Sequence, residues 1–300
     1  MPERKPPWLK TRLPTGAVYR DVDRVLGRFH LNTVCSSARC PNLGDCWGRG
    51  TATFMILGDV CTRHCRFCAV KTGNPQAALD ANEPERIAQA VAQLNLRYVV
   101  LTSVDRDDLP DSGAGQFART IRAVREWSDR SDKSDLSDPG RTRRIEVLVP
   151  DFDGAPQAME AVAAARPDVL GHNLETVEAL TPSVRDPRAG YRRSLEVLRR
   201  AKELNPNQLT KSGIMVGLGE TAEQAVQTLR DLRAVSVDIV TIGQYLRPTR
   251  RNLPVIEYVR PEQFAEYARI GRELGFRAVF SAPLVRSSFH ADEAVSFCRR

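Results

Sequence analysis

The chain has 300 residues, 42% of them hydrophobic and 27% charged, a balance ordinary for a globular protein able to bury a sizeable core. No run approaches the roughly 18 apolar residues of a membrane span, and the opening MPERKPPWLK has no apolar h-region, so neither a spanning nor a secreted protein is predicted and the cytoplasm is the expected location. The formal net charge of +7 would suit a nucleic acid or an acidic protein partner, but the basic residues are scattered without interleaved aromatics, which argues against nucleic acid.

Residues 1–52 carry Pro, Gly and three cysteines with little periodicity, and predict an N-terminal extension that wraps over something else. From residue 53 the pattern alternates. Apolar or β-branched runs at 53–58 (TFMILG), 98–103 (YVVLTS), 145–150, 168–173, 213–218, 238–243 and 277–281 predict strands. Helical spacing predicts helices over 84–94, 115–127, 156–165, 190–204, 222–233 and 262–274; in the first, Ile87, Val91 and Leu94 share a face and Pro84 suits the first turn. Strand–helix–strand repetition implies parallel strands with right-handed crossovers. An α/β fold is expected, a partial (β/α)6-type TIM barrel over 53–282 rather than a doubly wound sheet, with N-terminal and C-terminal extensions at 1–52 and 283–300. The Ser/Asp/Arg-rich stretch 128–144 interrupts the order and predicts a solvated loop.

Six of the seven cysteines lie between residues 35 and 68. In a reducing compartment such clustering points to metal ligands rather than disulfides. Cys61, Cys65 and Cys68 follow the first predicted strand as C-x3-C-x2-C. Three thiolates on a short loop can hold three corners of an iron–sulfur cubane and leave one iron open to a small chelating molecule. Zinc modules instead close a tetrahedron with two close pairs, which this spacing does not supply. Cys35, Cys40 and Cys46, as C-x4-C-x5-C, form a second trio that is again one ligand short. Cys298 lies outside both trios and His64 falls between two ligands; neither is expected to ligate.

The form CTRHCRFC, with Phe67 before the last cysteine, resembles the radical S-adenosylmethionine (SAM) signature. With CSSARCPNLGDCW ahead of it, and with TSVDRDDLPD, HNLETV, KSGIMVGLGE, TIGQYLRPT and RSSFHA downstream, the chain resembles the lipoyl synthase family over nearly all of 19–291. The resemblance implies two [4Fe-4S] clusters: one on Cys61, Cys65 and Cys68 that binds SAM, and an auxiliary one on Cys35, Cys40, Cys46 and the second serine of the C-terminal motif, Ser288. An alkoxide is a harder ligand than a thiolate and should leave cluster iron more readily. Ser288 is therefore expected to be catalytic as well as a ligand. The resemblance further implies radical insertion of two sulfur atoms at C6 and C8 of a protein-bound octanoyl-lysine, by way of a 5′-deoxyadenosyl radical, with the auxiliary cluster consumed. Expected partners are octanoylated lipoyl domains of 2-oxoacid dehydrogenase E2 subunits, the glycine-cleavage H protein, and an electron donor such as flavodoxin or ferredoxin.

Thr102, Ser103, Asn173 and Glu175, at or just past strand ends, are expected near SAM, with Arg185 at its carboxylate. The glycines of GLGE (217–220) are expected to let backbone approach its adenine. The family's motif tyrosine is replaced by Phe289. Two competing readings are a methylthiotransferase acting on tRNA, for which no composition shift marks a separate RNA-binding domain, and a zinc-stabilised nucleic-acid-binding module.

Overall fold

Strands and helices alternate along the chain because its apolar positions switch between two spacings. A computed structural model describes residues 5–11, 16–48, 52–76, 79–131, 143–288 and 291. In chain order the elements are α1 (Ala17–Arg28), β1 (Asn32–Thr33), α2 (Val34–Ser37), α3 (Leu43–Gly48), β2 (Thr53–Ile56), β3 (Val60–Cys61), β4 (Lys71–Thr72), α4 (Glu83–Gln93), β5 (Tyr98–Ser103), α5 (Ala114–Ser131) and β6 (Arg144–Leu148). Then follow α6 (Pro156–Ala164), β7 (Val169–Gly171), α7 (Thr181–Val184), α8 (Tyr191–Leu204), β8 (Leu209–Val216), α9 (Ala222–Ala234), β9 (Ile239–Gln244), α10 (Pro261–Glu273) and β10 (Ala278–Ser281). Every strand and helix expected from residue 53 onward is present within a few residues of its predicted bounds.

Two segments differ from expectation. Residues 1–52 contain α1, a 12-residue amphipathic helix that buries Val22, Val25 and Leu26. Its seam is hard to see because Arg20, Asp21, Asp23 and Arg24 crowd between the apolar positions. The 128–144 stretch is not all loop: α5 runs on to Ser131 and β6 begins at Arg144. Polar residues cost little at a helix end. Residues 132–142 of that stretch, with Phe289 and Cys298, lie outside the described residues.

The chain divides into two compact units. One comprises Leu13–Arg63 and Val70–Leu170. Its β2 pairs in parallel with β5, and β5 with β6, while β1 runs antiparallel on β2 through Thr33↔Phe54. α4 packs on α5 and α5 on α6. Phe54, Ile56, Ile87, Leu101, Phe117, Ile121 and Ile145 are fully buried, each contributing about 1.5–3 kcal/mol relative to exposure. Phe117 meets Phe152 edge to face at 6.1 Å.

The other unit comprises Met1–Arg12, His64–Ala69 and Gly171–Arg300. β8, β9 and β10 are parallel neighbours in that order. Leu198, Val216, Leu229, Val240, Ile242 and Phe264 form its core with Tyr267. Thr221 starts α9 with a reciprocal capping box to Gln224, which satisfies two otherwise orphaned N–H groups. After β10 the chain returns to β9: the Ala282 N–H donates to the Ile242 carbonyl at 3.2 Å, and the Gln244 N–H to the Pro283 carbonyl at 3.1 Å. In both units the strands are mostly parallel with helices between them, as the α/β reading requires.

Candidate functional site

In the first unit, Cys61 ends β3 and is met by the residues that follow β5. The Asp105 N–H donates to the Cys61 sulfur at 3.3 Å, and the Asp105 carbonyl accepts the Thr62 N–H at 3.0 Å. Thr62 then donates its hydroxyl to Asp107 at 2.7 Å. Arg63 is 3% exposed and faces three carboxylates: Asp107 at 2.8 Å, Asp151 at 2.6 Å and Asp105 at 3.4 Å. Burial alone would loosen its proton, but hydrogen bonds to Asp151 and Asp107 and the charge of Asp105 outweigh it and hold the guanidinium charged. A planar fork with several donors suits a cluster of carboxylates. Cys61, Thr62 and the strand-end aspartates are thus locked as one body.

In the second unit, residues 64–68 are held from two sides. The Asp186 N–H points at the Cys65 sulfur at 3.4 Å, and its carboxylate accepts the His64 N–H at 2.8 Å. The Arg66 N–H donates to the Val184 carbonyl at 2.9 Å. Asn252 donates its amide to the Cys68 carbonyl at 2.8 Å and to the Arg66 carbonyl at 3.2 Å. Phe67 packs behind the loop on Val184, Leu218 and Tyr245. Burial works against ionisation of Asp186, yet the Arg188 guanidinium and the His64 N–H hold its carboxyl well below the usual carboxylate range.

N–H groups aimed at thiol sulfur stabilise thiolate and, in a cluster, the reduced form. The donor set therefore fits an iron–sulfur group. Among the described residues no three His, Cys, Asp or Glu side chains are gathered closely enough for a single ion. Cubane ligands sit on different irons and stand farther apart.

Cys35, Cys40 and Cys46 lie on one segment of the first unit. Cys35 follows Thr33, whose hydroxyl caps α2 through the Ser36 N–H. The Cys40 N–H donates to the Cys35 carbonyl at 3.0 Å and the Cys46 N–H to the Asn42 carbonyl at 2.9 Å. Trp47, whose ring lies tilted at 34° with its centroid 5.1 Å from that of Tyr19, ties this segment to α1. Burial pushes the Cys35 thiol up, against hydrogen bonds with Thr53 and Trp47, so metal binding there must release a proton.

The strand-end residues separate into engaged and available groups. Thr102 donates its hydroxyl to the Leu148 carbonyl at 3.0 Å across β5 and β6. The buried Ser103 hydroxyl has no partner among the described residues. Asn173 donates its amide to the Ser287 hydroxyl at 2.6 Å. Burial raises the Glu175 carboxyl, opposed by the charge of Arg185 and a hydrogen bond with Asn173. Arg185 is buried, with one guanidinium nitrogen on the Ser194 hydroxyl at 2.8 Å and on the Leu174 carbonyl at 3.3 Å, while its Nε is without a partner among the described residues. Ser288 is partly buried, beside Ser287. At Gly217 (φ +95°) an added Cβ would lie 2.1 Å from the Gln244 amide nitrogen and 2.4 Å from the Glu257 carbonyl oxygen. The close approach that GLGE permits at this glycine is therefore made by protein.

Sequence reasoning missed Arg63, Asp107, Asp151, Asp186 and Asn252. The run DRDD at 105–108 was its one visible sign.

The radical SAM superfamily pattern matches residues 55–232, and that of the N-terminal domain of lipoyl synthase matches residues 2–40. The lipoyl synthase of Thermus thermophilus is 56% identical over 96% of this chain and 85% of its own length. That of Caldanaerobacter subterraneus is 53% identical over the full length of both. The crystal structure of methylornithine synthase has the same fold, with a TM-score of 0.54 at 14% identity, covering 94% of this chain and 86% of that one. The chain belongs to the lipoyl synthase family of the radical SAM superfamily.

Proposed function

We propose that Cys61, Cys65 and Cys68 hold a SAM-binding [4Fe-4S] cluster, that Cys35, Cys40, Cys46 and Ser288 hold an auxiliary one, and that the chain uses both to insert two sulfur atoms at C6 and C8 of a protein-bound octanoyl-lysine. Membership of the family makes it a sulfurtransferase that uses SAM and [4Fe-4S] clusters and acts on a lipoyl-domain protein with the help of a reductant. The observation that supports the assignment of the first cluster is the pair of main-chain N–H groups, of Asp105 and Asp186, aimed at the Cys61 and Cys65 sulfurs; the auxiliary set rests on the resemblance to the family. In this reading 1–52 supplies the auxiliary thiols, 53–282 the barrel with the SAM site, and 283–300 the serine ligand.

The bound groups supply hydrogen abstraction from unactivated carbon and a source of sulfide. The chain's own residues do the rest. Asp105 and Asp186 orient two thiolates and place dipoles where electron density gathers. Ser103 offers a hydroxyl to the methionyl part of SAM, Asn173 and Glu175 line its ribose, and Arg185, whose charge lies beside Glu175, takes the SAM carboxylate. Phe67 and the apolar side chains behind it keep water from the rear of the loop. Thr102 fixes β5 to β6 and acts as a brace.

The proposed acceptors are octanoylated domains of 2-oxoacid dehydrogenase E2 subunits and of the glycine-cleavage H protein, with an electron donor such as flavodoxin or ferredoxin. The net charge of +7 would steer acidic domains of that kind. No helix among the described residues is long and apolar enough to cross a membrane; the cytoplasm is the proposed compartment. Holoprotein carrying about eight irons, incubated with SAM, a strong reductant and an octanoyl-lysyl peptide, is expected to convert the peptide to its lipoyl form by mass spectrometry. Recovery of unmodified peptide from such a preparation would overturn the reading.

A further inference from the structure

The motif that supplies Ser288 begins with a second serine, and the two differ in what they touch. Asn173, 8% exposed, donates its amide to the Ser287 hydroxyl at 2.6 Å. Room for the Asn173 side chain comes from Gly213 in β8, where a Cβ would lie 3.1 Å from its Oδ1 and 2.5 Å from the Thr241 hydroxyl. The segment leading to Ser287 is seated as closely. A Cβ on Gly243 would lie 2.1 Å from the Val285 carbonyl oxygen, so only glycine lets this carbonyl settle on β9. Arg286 then donates to that oxygen at 2.6 Å, and the Val285 N–H donates to the Ala282 carbonyl at 3.0 Å.

We propose that Ser287 is a positioning residue: its hydrogen bond to Asn173 is the last fixed point of a strap, residues 282–287, that sets where the neighbouring Ser288 hydroxyl is presented to the auxiliary cluster. The proposal rests on Ser288 being a cluster ligand. The physical logic is that a weak ligand must be preorganised. An alkoxide binds cluster iron less well than a thiolate, and a ligand on an unanchored tail would also lose the entropy of being ordered each time it bound. A hydrogen bond to the buried Asn173, made one residue before the ligand, removes much of that loss. Asn173 is at the same time a proposed SAM contact, so the residue that would bind near one cluster holds the strap that serves the other.

The test uses the full chain with Cys61→Ala, Cys65→Ala and Cys68→Ala, which should hold the auxiliary cluster only, reconstituted without oxygen. A cluster that loses its fourth ligand readily gives up that iron on mild oxidation and leaves a three-iron form seen by electron paramagnetic resonance. Ser287→Ala is expected to speed this loss about tenfold, the worth of one hydrogen bond, while Ser287→Thr, which keeps the hydroxyl, stays near the parent rate. Asn173→Ala should act like Ser287→Ala, and the double variant no worse than either alone. Parent-like iron retention in Ser287→Ala, beside rapid loss in Ser288→Ala, would overturn the positioning role and leave the ligand assignment standing. Parent-like retention in Ser288→Ala would instead remove the ligand assignment itself, and the proposal with it.

Discussion

The main-chain N–H of Asp186 stands 3.4 Å from the Cys65 sulfur, while its carboxylate accepts the His64 N–H at 2.8 Å. One residue therefore both orients the thiol and pins the loop that carries it. Removing the carboxylate in Asp186→Ala should release the His64 anchor and lengthen the N–H···S contact. Such contacts favour the reduced cluster, so the midpoint potential of the SAM-binding cluster is expected to become more negative. A spectroscopically monitored reductive titration measures it, and an unchanged potential would contradict the role given to Asp186.

Arg63 gives the opposite kind of test, one of stability. Its guanidinium is 3% exposed and Asp151, its nearest partner at 2.6 Å, is completely buried. Arg63→Ala would leave buried carboxylate without its cation, a change costing about 3–5 kcal/mol. Arg63→Lys keeps the charge and loses the fork, and should fall between. Urea denaturation midpoints rank the three proteins; an Ala variant as stable as the parent would show that the aspartates need no counter-charge.

Thr102 and Ser103 are adjacent but are expected to behave differently. The Thr102 hydroxyl already bonds Leu148 across the sheet, whereas the Ser103 hydroxyl is buried without a partner among the described residues. Ser103→Ala should weaken SAM binding about tenfold with little loss of stability, as for one hydrogen bond to a ligand. Thr102→Ala should lower stability by about 1 kcal/mol and leave SAM affinity nearly intact. Equilibrium dialysis with the reconstituted protein separates the two, and equal affinity losses would count against this assignment.

Much of this molecule could be read from the chain. The strands and helices after residue 53 were legible because a parallel strand covered on both faces reads as a continuous apolar run and a helix repeats every third or fourth residue, and the thiols because six of seven are crowded into 35–68. What could not be read depends on long-range approach. Arg63 and Asp151 are 88 positions apart and His64 and Asp186 are 122 apart, so no local pattern marks them. α1 was hidden by charges interleaved with its seam. The division of labour between Ser287 and Ser288 is likewise invisible in a serine pair until Asn173 is seen to take the first.

If Ser288 ligates the auxiliary cluster, Ser288→Ala should still cleave SAM but form little lipoyl product, whereas Cys61→Ala should stop both. The asymmetry follows from assigning the two residues to different clusters. Chromatography of 5′-deoxyadenosine alongside mass spectrometry of the peptide reads both events in one reaction. Full product formation by the serine variant would remove it from the ligand set.

Glu83 makes stability itself depend on pH. The residue is 7% exposed at the start of α4, where it accepts the Leu57 N–H at 3.0 Å and the Gln116 amide at 2.9 Å. Burial nevertheless dominates and lifts its carboxyl above the ordinary value of 4.5. A carboxyl that holds its proton more tightly folded than unfolded stabilises the fold most when protonated. Its contribution is complete below the unfolded value and is lost as pH rises through the folded one. The neutral isostere in Glu83→Gln keeps an acceptor for Leu57 and has no proton to lose. The parent should therefore lose stability relative to Glu83→Gln as pH is raised from weakly acidic toward neutral. Urea denaturation of both proteins across that range measures the difference; a gap that stays constant, or widens in favour of the parent as pH rises, would mean that the hydrogen bonds from Leu57 and Gln116 outweigh the desolvation of the carboxylate.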